Sequence, residues 1–283
     1  EILRCLVGSE MCIRDSDEIY AQLMLLCLSI YTPSHYIFPS KIQKYAELTH
    51  NKGENLTQDG REQGIRRLMS INLLKRLESS VYSFQLTLTR IKGLIDSTIE
   101  AINRFEKYGT ADIAMYEAQE SEFDMDDGNT DYFSVGRKVK IDLADMDYKT
   151  WRTELQQDAE VLELLTLMVA DITPEHDGKL QDLLSLLSHK IENPINPDNK
   201  KVIIFSAFSD TAEYLYENVS AYVKKKYGLN TAVITGSIDG KTTIKGFKAT
   251  LNNVLTCFSP VSKGRNVLMP GSKAEIDILI ATD

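Results

Sequence analysis

The stretch whose residue types come nearest to a known chemistry is Ser237-Ile-Asp-Gly-Lys-Thr-Thr243. A loop that cradles nucleotide phosphates in backbone N–H groups, with a lysine on the outer phosphates and a hydroxyl on magnesium, requires G-x-x-x-x-G-K-[ST]. Gly240-Lys241-Thr242 supplies the second half, but the position of the first glycine is Thr235. The stretch is therefore rejected as a phosphate loop. The sequence also lacks an Asp-Glu-x-His for magnesium and water activation, and an arginine-rich finger motif. Arg66, Arg67, Lys75 and Arg76 read as phosphate contacts or, better, as a solvated helix face. Lys263 and Arg265 sit in a loop where phosphate contact and solubility explain them equally. Asp124-Met-Asp-Asp-Gly128 does not have the ligand spacing of a calcium loop. Cys5, Cys12, Cys27 and Cys257 have neither zinc nor disulfide spacing and read as free thiols in a reducing cytoplasm. His35, alone beside aromatics, reads as a packing or surface residue rather than a metal ligand or catalytic group. No catalytic or metal-ligating set is expected.

The elements that would position a site are clearer. Lys201-Val-Ile-Ile-Phe-Ser206 has four consecutive apolar residues, the pattern of a strand buried on both faces of a parallel sheet. Asp210 reads as an N-cap with Glu213 three residues on, a capping-box spacing, and the helix it opens stops at Gly228. Thr231-Ala-Val-Ile-Thr235 is a second strand ending at Gly236, which makes a βαβ unit. Ile276–Ala281 is a third strand, leading to Thr282-Asp283. The spacing predicts a helix over Thr242–Phe258 and a loop over Ser259–Ala274. Val202–Ser206, Thr231–Thr235 and Ile276–Ala281 are expected to lie adjacent and parallel.

KVIIFSAFSDTAEYL resembles helicase motif IV, TAVITG the short motif that follows it, and ILIATD the opening of motif V. All three belong to the second RecA-like lobe of superfamily-two helicases and translocases. The branch resembled is the bacterial RapA/HepA-like, chromatin-remodeller type. NLLKRLESSVYSFQLTL, at Asn72–Leu88, resembles the helical region that precedes this lobe in large helicases of that branch. The resemblance covers roughly Tyr31 to Asp283. It implies an α/β fold: a partial RecA-like parallel-sheet lobe preceded by a long-helix region. It also implies an ATP-dependent motor that uses ATP and magnesium in the full-length protein and acts on nucleic acid, double-stranded DNA by preference. By motif match, Ser206, Thr235, Gly236 and Thr282 would contact the nucleic-acid backbone, and Asp283 would lie in the nucleotide cleft between lobes. The first lobe's phosphate and magnesium ligands are absent, so residues 17–283 alone are expected to be inactive toward ATP. The alternative is a non-catalytic α/β module with a helical scaffold that binds a partner protein.

Leu6-Val-Gly-Ser-Glu-Met-Cys-Ile-Arg-Asp-Ser16 resembles the translation of a sequencing adapter, so residues 1–16 are expected to be a scar and the chain a fragment. Residues 17–62, with a helix over Glu18–Ile30 broken at Tyr31–Tyr36, are expected to be the tail of a first lobe. Apolar residues spaced by threes and fours from Gln63 to Phe105 predict one helix within 63–110, roughly 65 Å long at about 1.5 Å per residue; Gly93 would mark a bend. Phe105–Thr150 carries 12 acidic and five basic residues, most of the chain's net charge of −9. Residues 111–150 accordingly read as an acidic mobile linker. Helices opening at Trp151 and Lys179 form a connector over 151–195. The turn-rich Asn193–Asn199 marks the boundary before the lobe at 200–283. No apolar run is long enough to span a bilayer, which argues against a membrane role.

Overall fold

The computed structural model describes residues 11–49, 58–109, 115–116, 141–197, 199–236 and 240–282, with side chains for 17–45, 60, 62–109, 141–197, 199–236 and 240–282. The adapter-like residues 1–10, the side chains of 11–16, the Asp124–Gly128 cluster and Asp283 lie outside them. Helices come first: α1 (Met11–Leu23), α2 (Ile42–Thr49), α3 (Gln58–Ser79) and α4 (Val81–Tyr108). A short antiparallel pair follows, β1 (Met115–Tyr116) with β2 (Ile141–Asp142), and then α5 (Tyr148–Val169). Their shared core is built on Phe84, Leu88, Ile91 and Ile95 of α4 facing Trp151, Leu155 and Leu162 of α5.

Two expectations fail here for local reasons. The single long helix is two, because Ser80 takes an extended backbone (φ −157°, ψ 147°) and its hydroxyl accepts the Ser83 N–H as the N-cap of α4. The three-and-four spacing continues across the break, and so conceals it. Gly93 lies inside α4, which continues past it without a break. The first helix runs over Met11–Leu23, not Glu18–Ile30, and single turns at Ser29–Tyr31 and Pro33–Tyr36 replace its end. Asp158 of α5 organises that replacement. Its carboxylate accepts the N–H of Cys27 (2.8 Å) and of Ser29 (2.9 Å), while the Trp151 indole donates to the Ser29 carbonyl at 3.0 Å. Burial pushes the Asp158 carboxyl pKa upward.

Residues 141–150 are ordered, against the expectation of a linker through 150. Asp145 is the anchor, accepting from Lys44 (2.6 Å) and the Tyr45 hydroxyl (2.8 Å), with Lys41 at 3.2 Å. The Lys44 hydrogen bond is the main reason its pKa falls from 3.8 to about 2. A carboxylate held below its unfolded value contributes stability above that value and loses it as pH falls through the folded one. Wild-type protein should therefore lose stability between about pH 4 and pH 2 partly through Asp145, and Asp145→Asn should flatten that loss. Urea midpoints measured across this range check it; parallel curves for the two proteins would remove Asp145 from the explanation.

The second half forms an α/β unit: α6 (Gly178–Glu192), β3 (Val202–Ser206), α7 (Ser209–Tyr227), β4 (Thr231–Ile234), β5 (Lys241–Thr242), α8 (Leu251–Phe258), α9 (Arg265–Leu268) and β6 (Ile278–Thr282). The sheet order is β3-β6-β4-β5. Strands β3, β6 and β4 run parallel, with Val202 opposite Ile278 and Thr231 opposite Ile278, and β5 is antiparallel to β4. The three strands expected to be parallel neighbours are so, with β6 in the middle. Ile278 and Ile280 pack toward α6 and α7, and Leu279 toward α8, the two-sided burial that the run in β6 requires; β3, expected to be buried on both faces, is instead an edge strand with Ile203 and Phe205 exposed. Leu187 and Ile191 place α6 in this core, so the packing boundary precedes the Asn193–Asn199 turn.

The helix expected over Thr242–Phe258 is shorter. Thr242 ends β5 and Thr243 follows it in a bend, bonding the Thr231 carbonyl through the Thr242 hydroxyl (3.0 Å) and the Thr243 N–H (3.0 Å). Helix begins only where Thr250 caps Asn253 N–H. β-branched residues favour a pleated strand, and here that preference prevails.

Candidate nucleic-acid interface

A parallel strand pair in register brings its carboxyl ends side by side. Ser206 faces Thr282 in the β3–β6 register, and Ile234 faces Ala281 in the β4–β6 register, so Thr235 and Gly236 follow beside Thr282. Four of the five residues implicated by motif match thus collect on one sheet edge, and the fifth, Asp283, lies outside the described residues. In open parallel sheets ligands bind beyond this edge, where loops leave and helix N-termini begin. The four are not equivalent. The Ser206 hydroxyl is buried, donating to the Phe208 carbonyl (3.1 Å) and accepting the Phe208 N–H (3.2 Å). It closes the turn into α7. Thr235 and Thr282 are half-buried and Gly236 is exposed, so the accessible polar surface of the edge belongs to these three.

Charges around the edge are arranged in pairs. Helix α7 starts at Ser209 with Phe208 at its N-cap and no side-chain cap, so Asp210 does not play the capping part its spacing suggests. The Asp210 carboxylate instead receives two guanidinium groups from the helical unit. Arg76 Nη1 lies at 3.0 Å and Arg90 Nη1 at 2.9 Å from Oδ2, with Arg90 Nη2 at 3.4 Å from Oδ1. Arg76 is fully buried, also donates to the Ser83 hydroxyl at 2.9 Å, and lies 4.6 Å from the centre of the Phe208 ring. It is neither a solvated cation nor a phosphate contact, which corrects both readings of that residue. Glu213, the other half of the expected capping box, pairs with Lys241.

That pair also settles the position of Gly240-Lys241-Thr242. A phosphate loop joins a strand to a helix N-terminus. Lys241 and Thr242 instead form β5, antiparallel to β4, and Lys241 reaches across to Glu213 on α7. Gly240 serves packing: a Cβ there would fall 2.2 Å from the Ala249 carbonyl oxygen and 2.6 Å from Ile234 Cδ1. These residues do not fit a nucleotide's phosphates.

The loop with Lys263 and Arg265 belongs to the opposite edge. It leaves α8 where the Ile276 N–H bonds the Cys257 carbonyl and returns beside Lys201 and Asn230, which precede β3 and β4. It contains the short α9, and Arg265 donates to the Ala274 carbonyl. These two charges therefore do not join the hydroxyl-bearing edge. Of the residues around the edge, sequence reasoning missed the Arg76–Asp210–Arg90 cluster. A signal was present: Met69, Leu73, Arg76, Ser80, Ser83, Thr87 and Ile91 recur by threes and fours and are all buried.

Among the described residues no group of His, Cys, Asp and Glu could hold a metal ion, and no helix is long and apolar enough to cross a membrane. Comparison with protein-family models, curated proteins and solved structures returns no match.

Proposed function

We propose that this chain contributes the second motor lobe of an ATP-dependent helicase or nucleic-acid translocase, and that it grips the backbone of double-stranded DNA at the carboxyl edge of β3, β6 and β4. The observation that carries this reading is the convergence of the three motif-bearing strands: their terminal Ser206, Thr282, Thr235 and Gly236 meet on one edge in register. Small hydroxyls and backbone N–H groups there can donate to phosphate oxygens, which positions a duplex without reading its sequence. Lys241 and the arginines near this edge are engaged with Glu213 and Asp210, so the grip would rest on neutral donors. ATP and magnesium would be held chiefly by the first lobe of such a motor. Because Lys241 does not fit a phosphate site, no step of hydrolysis is assigned to it.

A second reading, an α/β module that docks a partner protein, is favoured by one observation. Ile203 and Phe205 on the edge strand β3 are 47% and 67% exposed, where α8 does not cover the sheet. Duplex titration separates the two. Thr282→Val and Thr235→Val should each weaken DNA binding about three- to tenfold, since a hydrogen bond to a charged acceptor contributes on the order of 1 kcal/mol. Binding that ignores both substitutions favours the docking module.

A further inference from the structure

Most buried apolar side chains fall into three groups, none of which mixes residues before 170 with residues after 177; Leu180, Phe208 and Tyr214 are buried outside all three, near the junction. The helical unit and the α/β unit therefore have separate cores. What joins them is mainly polar, with the rings of Phe208 and Tyr214 set against Arg76 and Tyr82. Asp210 takes Arg76 and Arg90; Thr211 Oγ1 meets the hydroxyls of Ser79 (2.9 Å) and Ser80 (3.0 Å); Lys179 donates to the Glu78 carbonyl. Asp177 caps α6 through Leu180 N–H and accepts the Tyr214 hydroxyl at 2.9 Å, while the Tyr214 ring stacks on Tyr82 at 5.1 Å. All these contacts meet at the α3–α4 break and the first turns of α6 and α7.

We infer that this seam is an ion-paired latch, with Asp210 as its centre, whose release lets the α/β unit open from the helical unit while each retains its own core. The inference does not rest on the helicase reading. A shared apolar core resists separation in proportion to its buried area, whereas a polar seam between two closed cores can part and be solvated. The latch is specific because Arg76 is fully buried and becomes an uncompensated charge if Asp210 loses its carboxylate. The break at Ser80 has a role in this account: it places Ser79, Ser80 and Ser83 at the seam and directs Arg76 into it.

Trp151, the chain's one tryptophan, is buried in the helical core and reports that unit alone. Strands β3 and β6 report the other through hydrogen exchange of peptides covering 202–206 and 278–282. In a urea titration of the 283-residue chain, both probes should change together for wild type. In Asp210→Asn the strand amides should exchange about 10- to 100-fold faster before Trp151 fluorescence changes. Arg90→Gln, at a partly exposed position, should separate the probes in the same direction by less, and it decides the matter if Asp210→Asn does not fold. Probes that stay coincident in the folded variants, whether shifted together or unmoved, would overturn the latch.

Discussion

Trp151→Ala is expected to lower stability by about 3–5 kcal/mol, the cost of emptying a fully buried aromatic site that its neighbours cannot refill. Three things set this position apart. The side chain is 0% exposed, its indole N–H donates to the Ser29 carbonyl at 3.0 Å, and its ring lies 6.0 Å from that of Tyr36. Ser29 is in turn held by Asp158, about two turns along the same helical face as Trp151. Losing the indole therefore opens a cavity and removes one of the bonds to the Ser29 carbonyl, which keeps the Thr32 N–H at 3.2 Å. Trp151→Phe keeps most of the volume and should cost less, about 1–3 kcal/mol, mainly for the lost hydrogen bond. Urea unfolding followed by far-ultraviolet circular dichroism measures both. Equal losses for the two variants would mean that the hydrogen bond, not the packing, dominates.

Gly240→Ala is expected to cost about 1–3 kcal/mol, as overpacking does in a tight site. The nearest atom to the added methyl group is the backbone oxygen of Ala249, which cannot rotate away as a side chain can. Either β5 must leave β4 or the segment before α8 must move. Faster exchange of the Thr231–Ile234 amides should accompany the loss of stability. If Gly240 were there for a reason other than packing, alanine would leave folding intact, so a neutral substitution would remove the packing role given to it.

The sheet was the most legible part of the chain. Thr231–Ile234 and Ile278–Ala281 have no alternating polar positions and are buried on both faces, whereas Val202–Phe205 reads the same way in sequence but lies at the sheet's edge, where Ile203 and Phe205 are exposed. What spacing could not show was where hydrogen bonds compete with periodicity. Ser80 interrupts a helix without disturbing the three-and-four rhythm, because one extended residue is all the break requires. The apolar rhythm of Phe247, Leu251, Val254, Leu255 and Phe258 extended the expected helix back to Thr242, where tertiary bonds to Thr231 do not permit it. Charged residues were misread for a related reason. A capping spacing at Asp210 and Glu213 is local, whereas their partners Arg76, Arg90 and Lys241 are distant in sequence, and the distant partners prevail. The carboxyl-edge cluster became visible only through register, since Ser206, Thr235 and Thr282 are far apart along the chain.

The proposal that this edge grips a nucleic-acid backbone is tested most directly by hydrogen exchange of the chain with and without a DNA duplex at low salt, where phosphate contacts are strongest. Protection confined to peptides ending β3, β4 and β6, around Ser206, Thr235–Gly236 and Thr282, and lost on adding salt, is the predicted result. Absence of protection there, or protection only along the exposed β3 edge at Ile203 and Phe205 or in the Lys263–Arg265 loop, would contradict it.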